Sequence, residues 1–178
     1  MPEYKIRAGA DAFGDGSHPT TRGVLAALEA IDPQQFRPAI ACDMGAGSGI
    51  LSLAIADLFG CSVIAADLER SAVEAIALNA ARNGLASLVR PVHSDGFRHP
   101  DIEAAAPFDL IMMNILAEPL IGLAADAENH LKKGAVLIIS GILLWQEPQI
   151  RAAYEALGLE LASRLVIGDW VTLCWSKG

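Results

Sequence analysis

Few aromatic and few basic residues set the first limits on this 178-residue chain. Phe, Trp and Tyr make up 6% of a composition that is 53% hydrophobic, so the core has to be mostly aliphatic. Lys and Arg number 13 against 21 Asp and Glu, and the net charge is -8. That balance, with the basic residues scattered, argues against broad contact with a phosphate backbone, and no DNA partner is expected. Cysteine is scarce and odd in number: Cys42, Cys61 and Cys174, with no C-x-x-C pair. They read as reduced core thiols of a cytoplasmic protein, with no metal framework. His93, His99 and His130 lack ligand spacing, so no metal is expected. Ser17 and Ser140 lack the His and Asp partners of a hydrolase triad. Apolar runs such as 135–139 are far too short for a bilayer, and the start from Met1 to Lys5 has no signal-peptide stretch. The length suits one domain over 1–178, with 1–17 as an extended, loop-like segment of it.

What the chain does have is alternation. A helix is expected from Pro19 to Ile31, with Ser17 or His18 near its cap and Asp32-Pro33 stopping it. Strands are then expected at 39–43, 62–66, 88–93, 109–113 and 135–140. Helices fall between and after them, at about 50–59, 70–83, 120–131 and 147–157. Gly84 and Gly134 stand where helix stops belong. Segments 159–166 and 171–176 suit a closing antiparallel pair. The sum is an α/β chain with a mostly parallel, seven-stranded sheet, helices on both faces and an antiparallel C-terminal strand. Ligands of such sheets lie beyond the carboxyl ends of the strands, at the switch point.

The polar residues at those ends carry the chemistry. After the first strand comes Asp43-Met44-Gly45-Ala46-Gly47-Ser48-Gly49-Ile50. A nicotinamide or flavin turn reads G-x-G-x-x-G, but here the spacing is G-x-G-x-G, and Ile50 takes the place of the last glycine. Asp43 would repel a pyrophosphate, yet it suits a ligand bearing an ammonium and a sulfonium, such as S-adenosylmethionine. Gly45, Gly47 and Gly49 would let such a ligand approach bare backbone. Asp67, ending the second strand, can accept both ribose hydroxyls, or cap the helix that follows. Asp95 can accept an adenine amino group between Leu68 and Phe97, or simply belong to an Asp-Gly turn.

Asn114-Ile115 follows the fourth strand. Its side-chain oxygen and the Ile115 carbonyl can take the N–H groups of an attacking amine and aim its lone pair at a sulfonium methyl. The competing reading is a turn or helix cap. His18 suits a capping residue better than a base. Trp145 follows the fifth strand and either packs or lines a substrate mouth.

Residues Ala12 to Thr21 (AFGDGSHPTT) resemble the AFGTGTHPTT segment of the PrmA family of ribosomal protein methyltransferases. Further signatures follow in order: the glycine turn at 43–51, Asn114-Ile115-Leu116-Ala117 with Pro119-Leu120, and Ser140-Gly141-Ile142-Leu143 with Gln146. The resemblance implies a Rossmann-like class I methyltransferase using S-adenosylmethionine and methylating amino groups of a large-subunit ribosomal protein. It also implies that Thr21, Gly45, Asp67 and Asn114 contact the cofactor, that the Asn motif faces the amine, and that the 14–21 loop covers the methionine end. Asp15 and Ala46 depart from the family's usual Thr and Cys. The family also carries a separate N-terminal recognition domain, whereas a dozen residues precede the shared segment here. The acceptor therefore stays open between a protein amine and a small molecule. A cofactor-binding partner subunit without activity is the second reading, and a nicotinamide oxidoreductase is the third.

Overall fold

A computed structural model of the chain describes residues 4–6 and 16–178. Asp15, most of the 1–17 segment and the first two residues of the 14–21 loop lie outside the described residues. The first helix, α1 (Pro19–Ala30), starts at a proline, and His18 caps it by accepting the Thr20 N–H on its ring. Five parallel strands then alternate with helices: β1 (Ile40–Met44), α2 (Ile50–Phe59), β2 (Ser62–Asp67), α3 (Arg70–Arg82), β3 (Val89–His93), α4 (Pro100–Ala105), β4 (Phe108–Asn114), α5 (Ala117–Gly122), α6 (Ala124–His130) and β5 (Leu131–Leu143). A single 3-10 turn at 144–146, α7 (Glu147–Glu155), β6 (Leu159–Ile167) and β7 (Trp170–Lys177) complete the order. None of the helices is long and apolar enough, among the described residues, to cross a membrane.

The sheet runs β3-β2-β1-β4-β5-β7-β6, with β7 antiparallel to both of its neighbours. Strand order reverses direction between β1 and β4, which places the switch point at their carboxyl ends. Successive strand residues serve opposite layers, as the two-residue period of a strand demands. Ile111 and Met113 join one core with residues of α4 to α7. Leu110 and Met112 join the other with residues of α1 to α3. Aliphatic residues make up most of both cores, and the fully buried aromatics Phe97, Phe108, Tyr154 and Trp175 all lie in the first.

Three expectations about the elements need correction. α4 was not foreseen, although His99 accepting from the Asp101 N–H, with Pro100 next to it, is a helix start. The helix expected over 120–131 is two short ones meeting at Leu123. Gly134 does not end that helix: β5 already begins at Leu131, which pairs with Phe108, and Gly134 takes a positive φ of 76° inside the strand, next to the shift in the β4–β5 register. The other strands lie within two residues of their expected positions.

Candidate functional site

The turn after β1 winds through glycines at φ 76°, 57° and 80° (Gly45, Gly47 and Gly49), a region side chains disfavour. Its N–H groups are directed inward. Those of Gly45 and Ala46 donate to the Ala66 carbonyl at 2.8 and 3.0 Å, and that of Gly49 donates to Ala46 at 2.8 Å. The Gly47 N–H donates to Asp67 Oδ2 at 2.8 Å. A turn with four N–H donors engaged in this way has little left for a pyrophosphate. Gly49 also has a packing reason: a Cβ there would lie 3.1 and 3.2 Å from Ile76 side-chain carbons on α3.

Asp67 brackets the turn and the next helix, since its Oδ1 also accepts the Glu69 N–H at 2.9 Å. The formal cap of α3 is Glu69, which makes no side-chain bond to it. Each Asp67 oxygen keeps a second acceptor position, so the bracket leaves room for a hydroxyl ligand.

Asp43 lies 1% exposed and points, like its strand neighbour Ala41, toward the α1–α3 layer. The Ser52 hydroxyl, in the first turn of α2, donates to Asp43 Oδ2 at 2.5 Å. Oδ1 is buried and finds no donor among the described residues. Burial pushes this carboxyl up to about 7; the Ser52 bond works against that shift, and the Asp67 charge adds to it. A buried carboxylate with an unfilled acceptor is stabilised by a nearby cation.

On the neighbouring strand, Asn114 and Ile115 are half-buried at the end of β4. The cap reading of Asn114 does not hold: the cap of α5 is Leu116, and no side chain supplies a bond there. No described residue hydrogen-bonds the Asn114 amide. Ile115 is held from two sides. Its side chain lies where a Cβ of Gly45 would be, and its peptide lies where a Cβ of Gly141 would be.

Thr21 is buried in the first turn of α1 at 2% exposure. The Ser140 hydroxyl sits 2.9 Å from that of Thr172 and 3.4 Å from the Thr20 carbonyl, tying that turn to β5 and β7. His18 also sets its ring edge-on to Trp170 at 4.9 Å.

Farther along the carboxyl edge, Asp95 and Leu68 are exposed, the latter at 58%. Phe97 is not a wall for an adenine. It is fully buried and stacks on His130 at 4.9 Å, inside the α4–α7 core. Trp145 and Leu116 are each 72% exposed, so Trp145 is not core packing. Ser52 escaped the reading of the sequence. Its position, nine residues after Asp43 and three into a helix following a tight turn, was the available signal.

A seven-stranded sheet in this order, with an acidic glycine turn at its switch point, is the Rossmann-like fold of class I methyltransferases. The model of the ribosomal protein L11 methyltransferase (PrmA) family matches residues 5–178. The chain belongs to that family. It is 42% identical over 162 residues to the ribosomal protein L11 methyltransferase of Brucella suis, covering 91% of this chain and 56% of the relative. It is 40% identical over 166 residues to that of Rhodopseudomonas palustris, covering 93% and 56%. The crystal structure of a ribosomal protein L11 methylase from Lactobacillus delbrueckii superposes with a TM-score of 0.82 at 32% identity, over 93% of this chain and 81% of that one. The chain thus spans about half the length of the curated relatives it matches.

Proposed function

We propose that this domain is an S-adenosylmethionine-dependent N-methyltransferase whose acceptor is a protein amino group, that of a ribosomal protein in particular. The observation that carries this reading is the pairing of two things across the switch point. One is a glycine turn with engaged N–H groups and two carboxylates, one of them short of a partner. The other is an amide and a carbonyl on the adjacent strand end that no described residue partners. When bound, S-adenosylmethionine supplies an electrophilic methyl on a sulfonium. The Asp43 carboxylate, buried just beneath the turn, would attract the ammonium of its methionine end by charge, beside Gly45 and Gly47. Asp67 would take the ribose hydroxyls, while Leu68 and Asp95 lie toward the base. Thr21 and Gly49 support this site through packing.

The chain's own contribution to the reaction is orientation. Asn114 Oδ1 and the Ile115 carbonyl would each accept one N–H of the incoming amine. A neutral amine so held presents its lone pair along a fixed direction; an ammonium in the same place has none and does not react. Among the described residues no side chain is placed as a dedicated base, and water would take the proton. The relatives' name supports a ribosomal protein as acceptor. Three buried, unpaired cysteines suit a reducing compartment, and we place the domain in the cytoplasm.

Calorimetric titration of the purified chain with S-adenosylmethionine should show one site. A folded chain that takes up none would refute the reading. Incubation with radiolabelled cofactor and cell extract should then label a protein; label on a small molecule would move the acceptor to the alternative class. Cofactor uptake without any transfer would leave an inactive partner subunit. Asp67→Ala should weaken cofactor binding by about 1–3 kcal/mol, as for a lost hydrogen-bond acceptor of full charge, with little change in turnover at saturation.

A further inference from the structure

We infer that Gly141 is a positioning residue for methyl transfer: having no side chain, it lets the Ile115 peptide lie across the end of β5 with its carbonyl open to the acceptor amine. The inference rests on the proposed role of Asn114 and Ile115. Its geometry is independent of that role.

β4 and β5 run parallel, with Asn114 opposite Ser140, so Ile115 leaves β4 beside Gly141, at the irregularity between Ile139 and Ile142 from which β5 runs on along β7. Gly141 has a φ of 86°. A Cβ built on it would land on the Ile115 carbonyl oxygen and lie 2.9 and 3.0 Å from the Ile115 carbonyl carbon and nitrogen. All three are backbone atoms, so no side-chain rotation relieves the overlap. The peptide itself would have to move, and the added methyl would cover one side of the oxygen.

That oxygen is an acceptor on offer. It precedes the α5 cap, Leu116, whose extended backbone (φ -66°, ψ 156°) keeps residue 115 out of the helical ladder. The next carbonyl, that of Leu116, does receive the Leu120 N–H at 3.2 Å. Among the described residues, none donates to the Ile115 oxygen. The residue is half-buried, and a ligand N–H is a natural partner for a carbonyl that no described donor fills. The Ile115 side chain meanwhile rests over Gly45. Gly45 and Gly141 therefore set the two ends of one residue, and shifting the peptide at 115 shifts the acceptor grip relative to the turn proposed to hold the cofactor.

The test compares Gly141→Ala with Gly158→Ala. Gly158 has nearly the same φ, 83°, but nothing lies within 4 Å of its would-be Cβ, so its substitution carries backbone strain alone. Methyl transfer to unfractionated ribosomal protein is measured at saturating cofactor, with the cofactor Kd from calorimetry. We expect kcat of Gly141→Ala to fall at least tenfold below that of Gly158→Ala, with Kd within about twofold of the parent chain. Equal kcat in the two variants would overturn the inference, as would a loss confined to cofactor Kd. Should Gly141→Ala fail to fold, an ester in place of the peptide bond between Ile115 and Leu116 decides. It weakens the Ile115 oxygen as an acceptor without any clash, and no described residue accepts from the Leu116 N–H that it removes; severalfold slower transfer is expected, and unchanged transfer would overturn the inference. A parent chain that transfers no methyl at all would instead defeat the proposed function itself.

Discussion

Replacing Asn114 with alanine should lower kcat for methyl transfer by about 100-fold, while the Kd for S-adenosylmethionine changes by no more than a few-fold. The size follows from orientation: loss of one of two groups that aim a nucleophile frees it to tumble away from the methyl. Its selectivity for turnover follows from the surroundings. The amide caps no helix and is held by no described residue, so its removal leaves the fold with nothing broken. Asn114→Asp is the sharper companion. A carboxylate there can still accept an N–H, but it also favours the protonated amine, which lacks a lone pair. Its rate profile should therefore move to higher pH than that of the parent chain. Steady-state kinetics from pH 6 to 10 would show this, and an alanine variant with parental turnover would end the assignment.

The second large effect is expected at Asp43. With its carboxyl at about 7, the unliganded site is only partly charged at neutral pH. An ammonium ligand needs the charged form, so cofactor affinity should rise by up to about tenfold per pH unit below 7 and level off above it. Asp43→Asn should abolish that rise and weaken binding at pH 8 by about 2–3 kcal/mol, roughly 30- to 150-fold. Calorimetry across pH 5.5 to 8 reads both. Stability of the unliganded chain should run the other way. The unfolded carboxyl ionises near pH 4, whereas the folded one keeps its proton to about 7. The folded state thus binds more protons in that interval, and Asp43's contribution to stability should decline from pH 4 to 7 and stay flat beyond. A pH-independent Kd in the parent chain would remove Asp43 from the ammonium site.

Much of this was legible in the sequence because local pattern and fold agree. Buried parallel strands such as 62–66 are short apolar runs that end in a polar residue, and Asp43, Asp67 and Asn114 were found at those ends. The alternation of elements was enough to give seven strands and the antiparallel pair. What stayed hidden depends on contacts distant in sequence. Phe97 looked available to an adenine because nothing in its neighbourhood announces His130. Gly134 looked like a helix stop because a positive φ serves a strand irregularity equally well. The grip of Gly45 and Gly141 on Ile115 joins residues from three strand ends, and no spacing rule encodes it. Asp43 and Ser52 were closer to readable, since a strand, a tight turn and a helix fix their separation.

The position of β7 has a consequence for how the protein is made. It follows every other strand in the chain, yet it is inserted between β5 and β6, and β6 pairs with nothing else in the sheet. While the chain is being synthesised, β6 emerges with both of its edges unsatisfied and must wait. Trp175, fully buried and stacked on Tyr154 at 5.8 Å, arrives with that last strand. Completion of the sheet, and with it the anchoring of the α1 start through Thr172 and Ser140, thus has to wait for β7, whatever has formed before it.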